Sequence, residues 1–367
     1  MSYVIIFILL WPFKMLMKPF RQRKGRNLVI QTAKIGDFVN ITPLLKHLRK
    51  SDVLISKTVL PLAERDSTIE NIYLIEDFKK SLISKIRLAF SLLNRYDNVY
   101  LLQPNSVNAF YAAFCNAKKK AFLIAYTRKW YHGIFYQTAD IVRLHKKTDF
   151  TLESYLKLAD PDLSAESYKK HATLPLWIPE EVLPELAKNT SVKIGISISA
   201  GNKAKTIPTE IWIKILSSLA GLPCKFYVFG PDNEQKYLDK LLEKLSRHEN
   251  IISLIGKLKL HEVPHAISLM DMYIASDSGN IYIADAVNVP VVCLAGPCDL
   301  AEQHPTYAPL ILTPEDETFT PESYIFAAPY QFRHSAEELF SLSDAQLNQI
   351  RSFVINNTSQ EQNHVQP

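Results

Sequence analysis

Apolar and polar positions along the chain fall into two series of alternating strand-like and helix-like stretches. Behind a basic stretch, residues 27–33 (NLVIQTA) make a continuous apolar run of strand length. A short loop, Lys34-Ile35-Gly36-Asp37, and an amphipathic stretch from Phe38 to Lys50 follow it. Apolar runs at 58–63, 71–77, 98–104 and 121–127 predict further strands, and the helical spacing of 81–96 predicts a helix between two of them. The alternation restarts at 193–199, with strand runs at 225–230, 250–256, 271–276 and 290–296 and helical stretches at 207–220 and 233–248.

Strands alternating with helices predict parallel sheets. Two such series predict an α/β protein of two Rossmann-like domains facing across a cleft between the carboxyl ends of their strands. The expected organisation is an N-terminal domain over 27–160 and a linker over 161–190 marked by Pro161, Pro175, Pro179 and Pro184. A second domain over 191–350 follows, and 351–367 forms the end of the last helix and a frayed tail. Residues 308–334 lack periodicity and read as an insertion, and 335–356 read as helical.

The first 26 residues stand apart. Tyr3–Phe13 carries no charge, and as a helix it would be about 16 Å long, short of the roughly 30 Å of bilayer hydrocarbon. The basic residues Lys14, Lys18, Arg21, Arg23, Lys24 and Arg26 follow the apolar run, the reverse of a secretory signal. An apolar segment beside a polybasic one is the two-signal arrangement that holds a protein on an anionic leaflet. The expectation is a peripheral membrane contact through residues 1–26; a buried first helix and a true span are the other two readings.

Charge sharpens that picture. The whole chain carries +5 with 42 basic and 37 acidic groups, but residues 1–26 hold six basic groups and no acid. The remaining 341 residues are near neutral, with 36 basic against 37 acidic. A near-neutral body argues against a nucleic-acid partner, which would want basic residues across the folded surface. An apolar fraction of 47% and a charged fraction of 22% exclude disorder and a polytopic membrane protein. Cys115, Cys224, Cys293 and Cys298 are too few for a disulfide framework and form no paired ligand motif, which points to a reducing compartment.

Most of the ten glycines fall where strands run into loops, the edge at which open α/β sheets bind ligands. Neither GxGxxG nor GxxxxGK[ST] occurs. Four junctions are candidates. Asp37, beside Lys34 and Gly36 ahead of a helix, sits where the positive helix end favours an ionised carboxylate able to take a proton; a capping aspartate would look the same. Asp277-Ser278-Gly279 opens another predicted helix, where free N–H groups and a bare Cα suit a phosphate, although a simple cap is the competing reading. Ser199–Lys205 is a small-residue loop whose Lys203 and Lys205 read equally as a phosphate clamp or as solvated lysines. In Gly230-Pro231-Asp232-Asn233-Glu234, Glu234 is placed to accept hydrogen bonds from ribose hydroxyls. His261-Glu262-Val263-Pro264-His265 satisfies HExxH on paper, but Pro264 belongs in a first helical turn and would leave His261 outside the helix. No zinc site is expected there.

In order, these junctions resemble glycosyltransferase family 9, the bacterial ADP-heptose:lipopolysaccharide heptosyltransferases. LVIQTAKIGDFVNITPLLKHLRK is similar to the family's opening strand–loop–helix with its GD pair and later TxP. ISISAGNKAKTIPTEIW resembles the start of its second domain, FYVFGPDNEQ its nucleotide-side turn, and the stretch from NIISLIGK through DSG to GPCD its most specific run. The likeness extends over residues 27–307.

The resemblance implies the GT-B fold and an inverting, metal-independent transfer with no cofactor. The donor would be a nucleotide-sugar, ADP-heptose, and the acceptor a lipid-anchored oligosaccharide at the cytoplasmic face of the inner membrane. Asp37 would be the catalytic base. Lys205, Ser278 and Gly279 would hold the diphosphate, and Glu234 the ribose. Asp277, Lys203 and Tyr282 would line the same donor site, with Lys34 and Gly36 in the acceptor-side loop. Three positions depart from the family pattern: Tyr282 replaces a histidine, Ile207 a tryptophan and Cys298 a threonine. These departures keep open a different donor, another GT-B nucleotide-sugar enzyme such as an epimerase, or a non-catalytic relative.

Overall fold

The computed structural model describes residues 2–22, 25–174, 179, 182, 186, 191–245, 249–316, 318–327 and 332–363. Pro175 and Pro184 of the expected linker, Arg23 and Lys24 of the leader, and residues 364–367 of the tail lie outside these. The chain divides into two units, Met1–Lys170 and His171–Pro367.

In the first unit, α1 (Ser2–Met17) precedes β1 (Asn27–Gln31), α2 (Ile35–Leu48), β2 (Ser51–Ile55), α3 (Leu60–Ala63), β3 (Ile69–Leu74) and α4 (Leu82–Leu92). Then follow β4 (Asn98–Leu101), α5 (Ser106–Phe114), β5 (Lys119–Ala125), α6 (Gly133–Tyr136), β6 (Ile141–His145) and α7 (Thr151–Ala159). The six strands are parallel in the order β3-β2-β1-β4-β5-β6. β1 and β2 are buried at every position, as inner strands of a helix-covered parallel sheet are.

The second unit repeats the scheme with β7 (Val192–Ile196), α8 (Thr209–Ser218), β8 (Cys224–Val228), α9 (Gln235–Lys244), β9 (Ile251–Ser253) and α10 (Val263–Ser268). β10 (Met272–Ser276), α11 (Gly279–Ala286), β11 (Val291–Leu294), β12 (Pro309–Leu312), α12 (Ala336–Leu339) and α13 (Asp344–Asn363) complete it. Its order, β12-β11-β10-β7-β8-β9, is the same doubly wound topology. Chain direction across each sheet switches between β1 and β4 in the first unit and between β7 and β10 in the second. A crevice therefore opens at the carboxyl ends of those pairs.

Three local expectations change. Residues 58–63 are not a strand but a 3-10 turn running into α3, because Pro61 lacks the N–H a ladder needs and fits a first helical turn. The strand is 51–55 instead. Its polar start is accommodated because buried Asp52 accepts from the Tyr96 hydroxyl at 2.7 Å and the Asn71 amide at 2.9 Å. The unpatterned 308–334 stretch contributes edge strand β12, paired with β11. The frayed tail is helical to Asn363, with Ile350 and Val354 one turn apart in the core.

Helix α1 packs on its own unit. Tyr3, Phe7, Leu10, Lys14 and Met17, spaced to share one face, turn inward. Phe7 stacks edge-on against Phe110 of α5 and Phe135 of α6, and Phe13 meets Phe90 of α4 at 4.9 Å. Helical structure runs from Ser2 to Phe20, so the segment is longer than the uncharged run alone and by length and composition could cross a bilayer.

Candidate functional site

In the second unit, three of the junctions singled out in the sequence converge at the carboxyl ends of β7, β8 and β10. The loop after β7 turns through a 3-10 segment, Lys203–Lys205, stapled by the Asn202 side chain accepting the Ala204 N–H. That turn aims Lys205 at the loop after β10, where its Nζ lies 2.6 Å from Oδ2 of Asp277. Lys203, on the same turn, is exposed. The other Asp277 oxygen accepts the Tyr282 hydroxyl at 2.5 Å. Burial opposes charge on Asp277, yet Lys205 and the donors around it hold the carboxyl below the usual aspartate range. Burial also opposes charge on Lys205, and the facing carboxylate holds the ammonium above the usual lysine range. Both groups are therefore charged at neutral pH.

Ser278 occupies the N-cap of α11 in extended backbone conformation, but its hydroxyl caps nothing. The buried Oγ has no partner among the described residues. Gly279 begins the helix. An unpaired hydroxyl, the N–H groups of a first helical turn and the Lys205 ammonium make a donor-rich patch suited to an anion.

The turn after β8 closes the other side. Glu234 folds back over Gly230, where a Cβ would lie 2.6 Å from Glu234 Oε2. The same carboxyl sits beside Ser199; burial raises its pKa and the Ser199 hydroxyl partly offsets the rise. Gly256, in the left-handed region at φ +71°, leaves room for Asp232, whose Oδ1 would stand 1.6 Å from a Cβ there.

Two residues named in the sequence gain their place at the site only from the fold. Tyr282 is 1% exposed and donates its one hydroxyl proton to Asp277, with the Gln303 carbonyl 3.2 Å from the same oxygen. The Tyr282 hydroxyl is thus committed to Asp277. Cys298 adds a buried thiol beside Asp277 and Lys205. In the sequence it stood out only as the replacement for the threonine of the family's turn after β11.

In the first unit, Lys34 precedes α2, Gly36 is buried in its first turn, and Asp37 follows, with Oδ2 accepting the Lys34 backbone N–H at 3.3 Å. Asp37 is half-buried at the helix end where peptide dipoles favour a carboxylate. Farther along α2, Thr42 donates to the Val39 carbonyl at 2.7 Å, the acceptor that Pro43 has no N–H to reach. Beneath the loop lies a polar network absent from the sequence reading. Thr32 donates to Gln103 Oε1 through Oγ1 (2.8 Å) and its backbone N–H (3.1 Å), and buried Asn108 bonds Thr32 Oγ1 at 2.9 Å. It ties the ends of β1 and β4 together at the switch point and fixes the loop that carries Asp37.

His261 precedes α10 and Pro264 lies in that helix's first turn, so the HExxH histidines do not share a helix face. Among the described residues, no group of three or more His, Cys, Asp and Glu side chains is arranged to hold a metal ion.

The family model described as glycosyltransferase family 9 (heptosyltransferase) matches residues 86–311. The chain is 23% identical to lipopolysaccharide heptosyltransferase 3 of Escherichia coli, over 72% of this chain and 81% of that protein. It is 26% identical to lipooligosaccharide heptosyltransferase 2 of Haemophilus influenzae, over 62% and 66% of the two lengths. Among solved structures, E. coli ADP-heptose lps heptosyltransferase II superposes with a TM-score of 0.67 at 18% identity, covering 92% of this chain and 99% of the other. That likeness is one of fold, and the fold is GT-B, two Rossmann-like units.

Proposed function

The chain belongs to glycosyltransferase family 9, and we propose from that membership that it moves heptose from ADP-heptose onto a lipopolysaccharide core acceptor, with inversion and without a metal. The observation that carries this reading is the convergence of Lys205, Asp277, Ser278 and the α11 N-terminus, with Glu234 beside Ser199, at the switch point of the second sheet. That set matches the needs of a nucleoside diphosphate: cationic and N–H donors for two phosphates, and a carboxylate for ribose hydroxyls.

In this mechanism Asp37 removes the proton from the acceptor hydroxyl as its oxygen bonds to the anomeric carbon. The bond from that carbon to the diphosphate oxygen breaks, and the nucleoside diphosphate departs. Lys205 and the first-turn amides of α11 stabilise the charge gathering on the leaving phosphate. Asp277 keeps Lys205 oriented, and the ammonium retains donors for the phosphate beyond the one it shares with the carboxylate.

The polybasic, apolar leader over residues 1–26 would bring the enzyme to the anionic cytoplasmic face of the inner membrane, where a lipid-borne acceptor is presented. A different donor nucleotide is the second reading, favoured by Tyr282, whose hydroxyl is committed to Asp277.

Calorimetric titration with ADP-, UDP- and GDP-sugars, followed by transfer assays with a core oligosaccharide acceptor, tests the proposal. Preferential ADP-heptose binding with transfer to the acceptor is expected. Tight binding of a UDP- or GDP-sugar alone would move the donor assignment, and turnover of nucleotide-sugar without acceptor would favour epimerisation.

A further inference from the structure

We propose that the start of α4, with Leu82 and Ile83 at its tip, is a second membrane-contacting element that joins the outer face of α1 in one lipid-binding surface. The inference rests on the membrane reading of residues 1–26 and extends it to a segment outside that leader.

The first observation is that α1 is inverted. Its one charged residue, Lys14, faces inward, is 5% exposed, and donates to Asn116 Oδ1 at 3.1 Å. Its outward positions carry Ile5, Ile8, Leu9, Met15 and Leu16, all exposed and all apolar, with Leu9 at 72%. Such a helix, apolar on every side, is ordinarily covered on every side, yet only one face of α1 is.

The second observation is where α4 continues that face. Phe90 of α4 meets Phe13 of α1, and Lys85 Nζ lies 5.4 Å from the ring of Tyr3. Residues seven and eight positions before Phe90, Ile83 and Leu82, therefore lie on the α4 stripe that borders α1, two turns along. They are 72% and 54% exposed. Around them, residues 79–87 (KKSLISKIR) hold Lys79, Lys80, Lys85 and Arg87 and no acid.

Charge decides what covers the surface. A second copy of the chain, docked about a two-fold axis, would set these basic groups against themselves. An anionic bilayer takes the apolar side chains into its acyl boundary and pairs the lysines and arginines with headgroup phosphates.

The test is co-sedimentation of the full chain with vesicles of phosphatidylethanolamine and phosphatidylglycerol, against phosphatidylcholine vesicles. Wild type should bind the anionic vesicles preferentially, and Leu82→Ser/Ile83→Ser should bind them about tenfold more weakly with an unchanged melting temperature. A Leu9→Ser/Leu16→Ser variant reports on α1 separately. If it loses binding while Leu82→Ser/Ile83→Ser binds like wild type, the α4 proposal falls and the leader reading stands. If wild type binds no vesicles, or dimerises through this face instead, both fall. Because all four native cysteines are buried, an Ile83→Cys variant can be labelled selectively with an environment-sensitive dye. A blue shift on anionic vesicles supports insertion, and no shift overturns it.

Discussion

The Tyr282 hydroxyl reaches Oδ1 of Asp277 at 2.5 Å while Lys205 holds Oδ2 at 2.6 Å, so one buried carboxylate is clamped from both sides. Tyr282 and Asp277 lie five residues apart across the start of α11. The helix that presents its N-terminus therefore also supplies the group that fixes the neighbouring ion pair.

Tyr282→Phe removes only the oxygen from that clamp. A hydrogen bond to a charged, buried acceptor is lost, so unfolding by denaturant should show a stability loss of about 1.5–3 kcal/mol. With Asp277 less constrained, Lys205 is held less firmly, and donor KM should rise more than kcat falls. An unchanged stability would mean that packing of the ring, and not its hydroxyl, sets the position of Tyr282.

Lys205→Met leaves a buried carboxylate without its cation and should cost about 3 kcal/mol. Lys205→Met/Asp277→Asn should recover part of that loss, since the orphaned charge is gone, while nucleotide-diphosphate binding stays weak in both. The pH signs differ as well. In wild type, the depressed Asp277 pKa contributes stability above the ordinary aspartate range, lost as pH falls through the folded value. The raised Lys205 pKa contributes below the ordinary lysine range, lost as pH rises through its folded value. In Lys205→Met, burial is opposed only by the Tyr282 and Cys298 donors, so the Asp277 pKa rises from its wild-type value. The deficit relative to wild type should then shrink as pH falls from neutral toward 4, which denaturation curves at several pH values would reveal.

Asp37→Asn keeps the shape of the α2 N-terminus and removes the proton acceptor. Transfer should fall about 10³-fold, with nucleotide-sugar affinity unchanged by calorimetry. Retained transfer would remove Asp37 from the chemistry.

Two glycines separate stability from binding. Gly256→Ala meets both a left-handed backbone and the Asp232 carboxylate, and should destabilise by about 2 kcal/mol or more. Gly230→Ala meets only the end of the flexible Glu234 side chain. It should unfold like wild type but bind the nucleoside moiety more weakly, because Glu234 must swing away.

Lys120, 6% exposed beneath α1, has its pKa pushed down to about 7, first by burial and then by Lys14, with Lys18 adding to the fall and Cys115 and Asp140 opposing it. Between that value and the ordinary lysine range the unfolded chain binds the extra proton, so this residue makes stability rise with pH across that window. Lys120→Met should flatten that rise and add on the order of 2 kcal/mol at neutral pH. Melting curves from pH 7 to 10 would check it.

What could be read from sequence was local. A continuous apolar run such as 27–33 can only be satisfied by burial on both faces, and a glycine or aspartate at its end marks the strand-to-loop junction. The two alternating series, the junction loops and the charge partition between leader and body thus follow from neighbours in the chain. The misreading of 58–63 has the same root: apolar content alone does not distinguish a strand from a helical turn, and Pro61 decided it.

What only the tertiary structure decided was pairing across long stretches of chain. Lys205 and Asp277, 72 residues apart, each read as either a donor-site residue or a bland one, a solvated lysine and a helix cap, with no contact between them; parallel packing of β7 beside β10 makes them an ion pair. Lys14 read as the first of the basic residues expected to face an anionic leaflet, and packing of α1 on α5 turned it inward to Asn116, 102 residues away. Periodicity specifies which face of an element is apolar, but the partner of a polar group depends on which loops the sheet order brings together. No spacing along the chain carries that information.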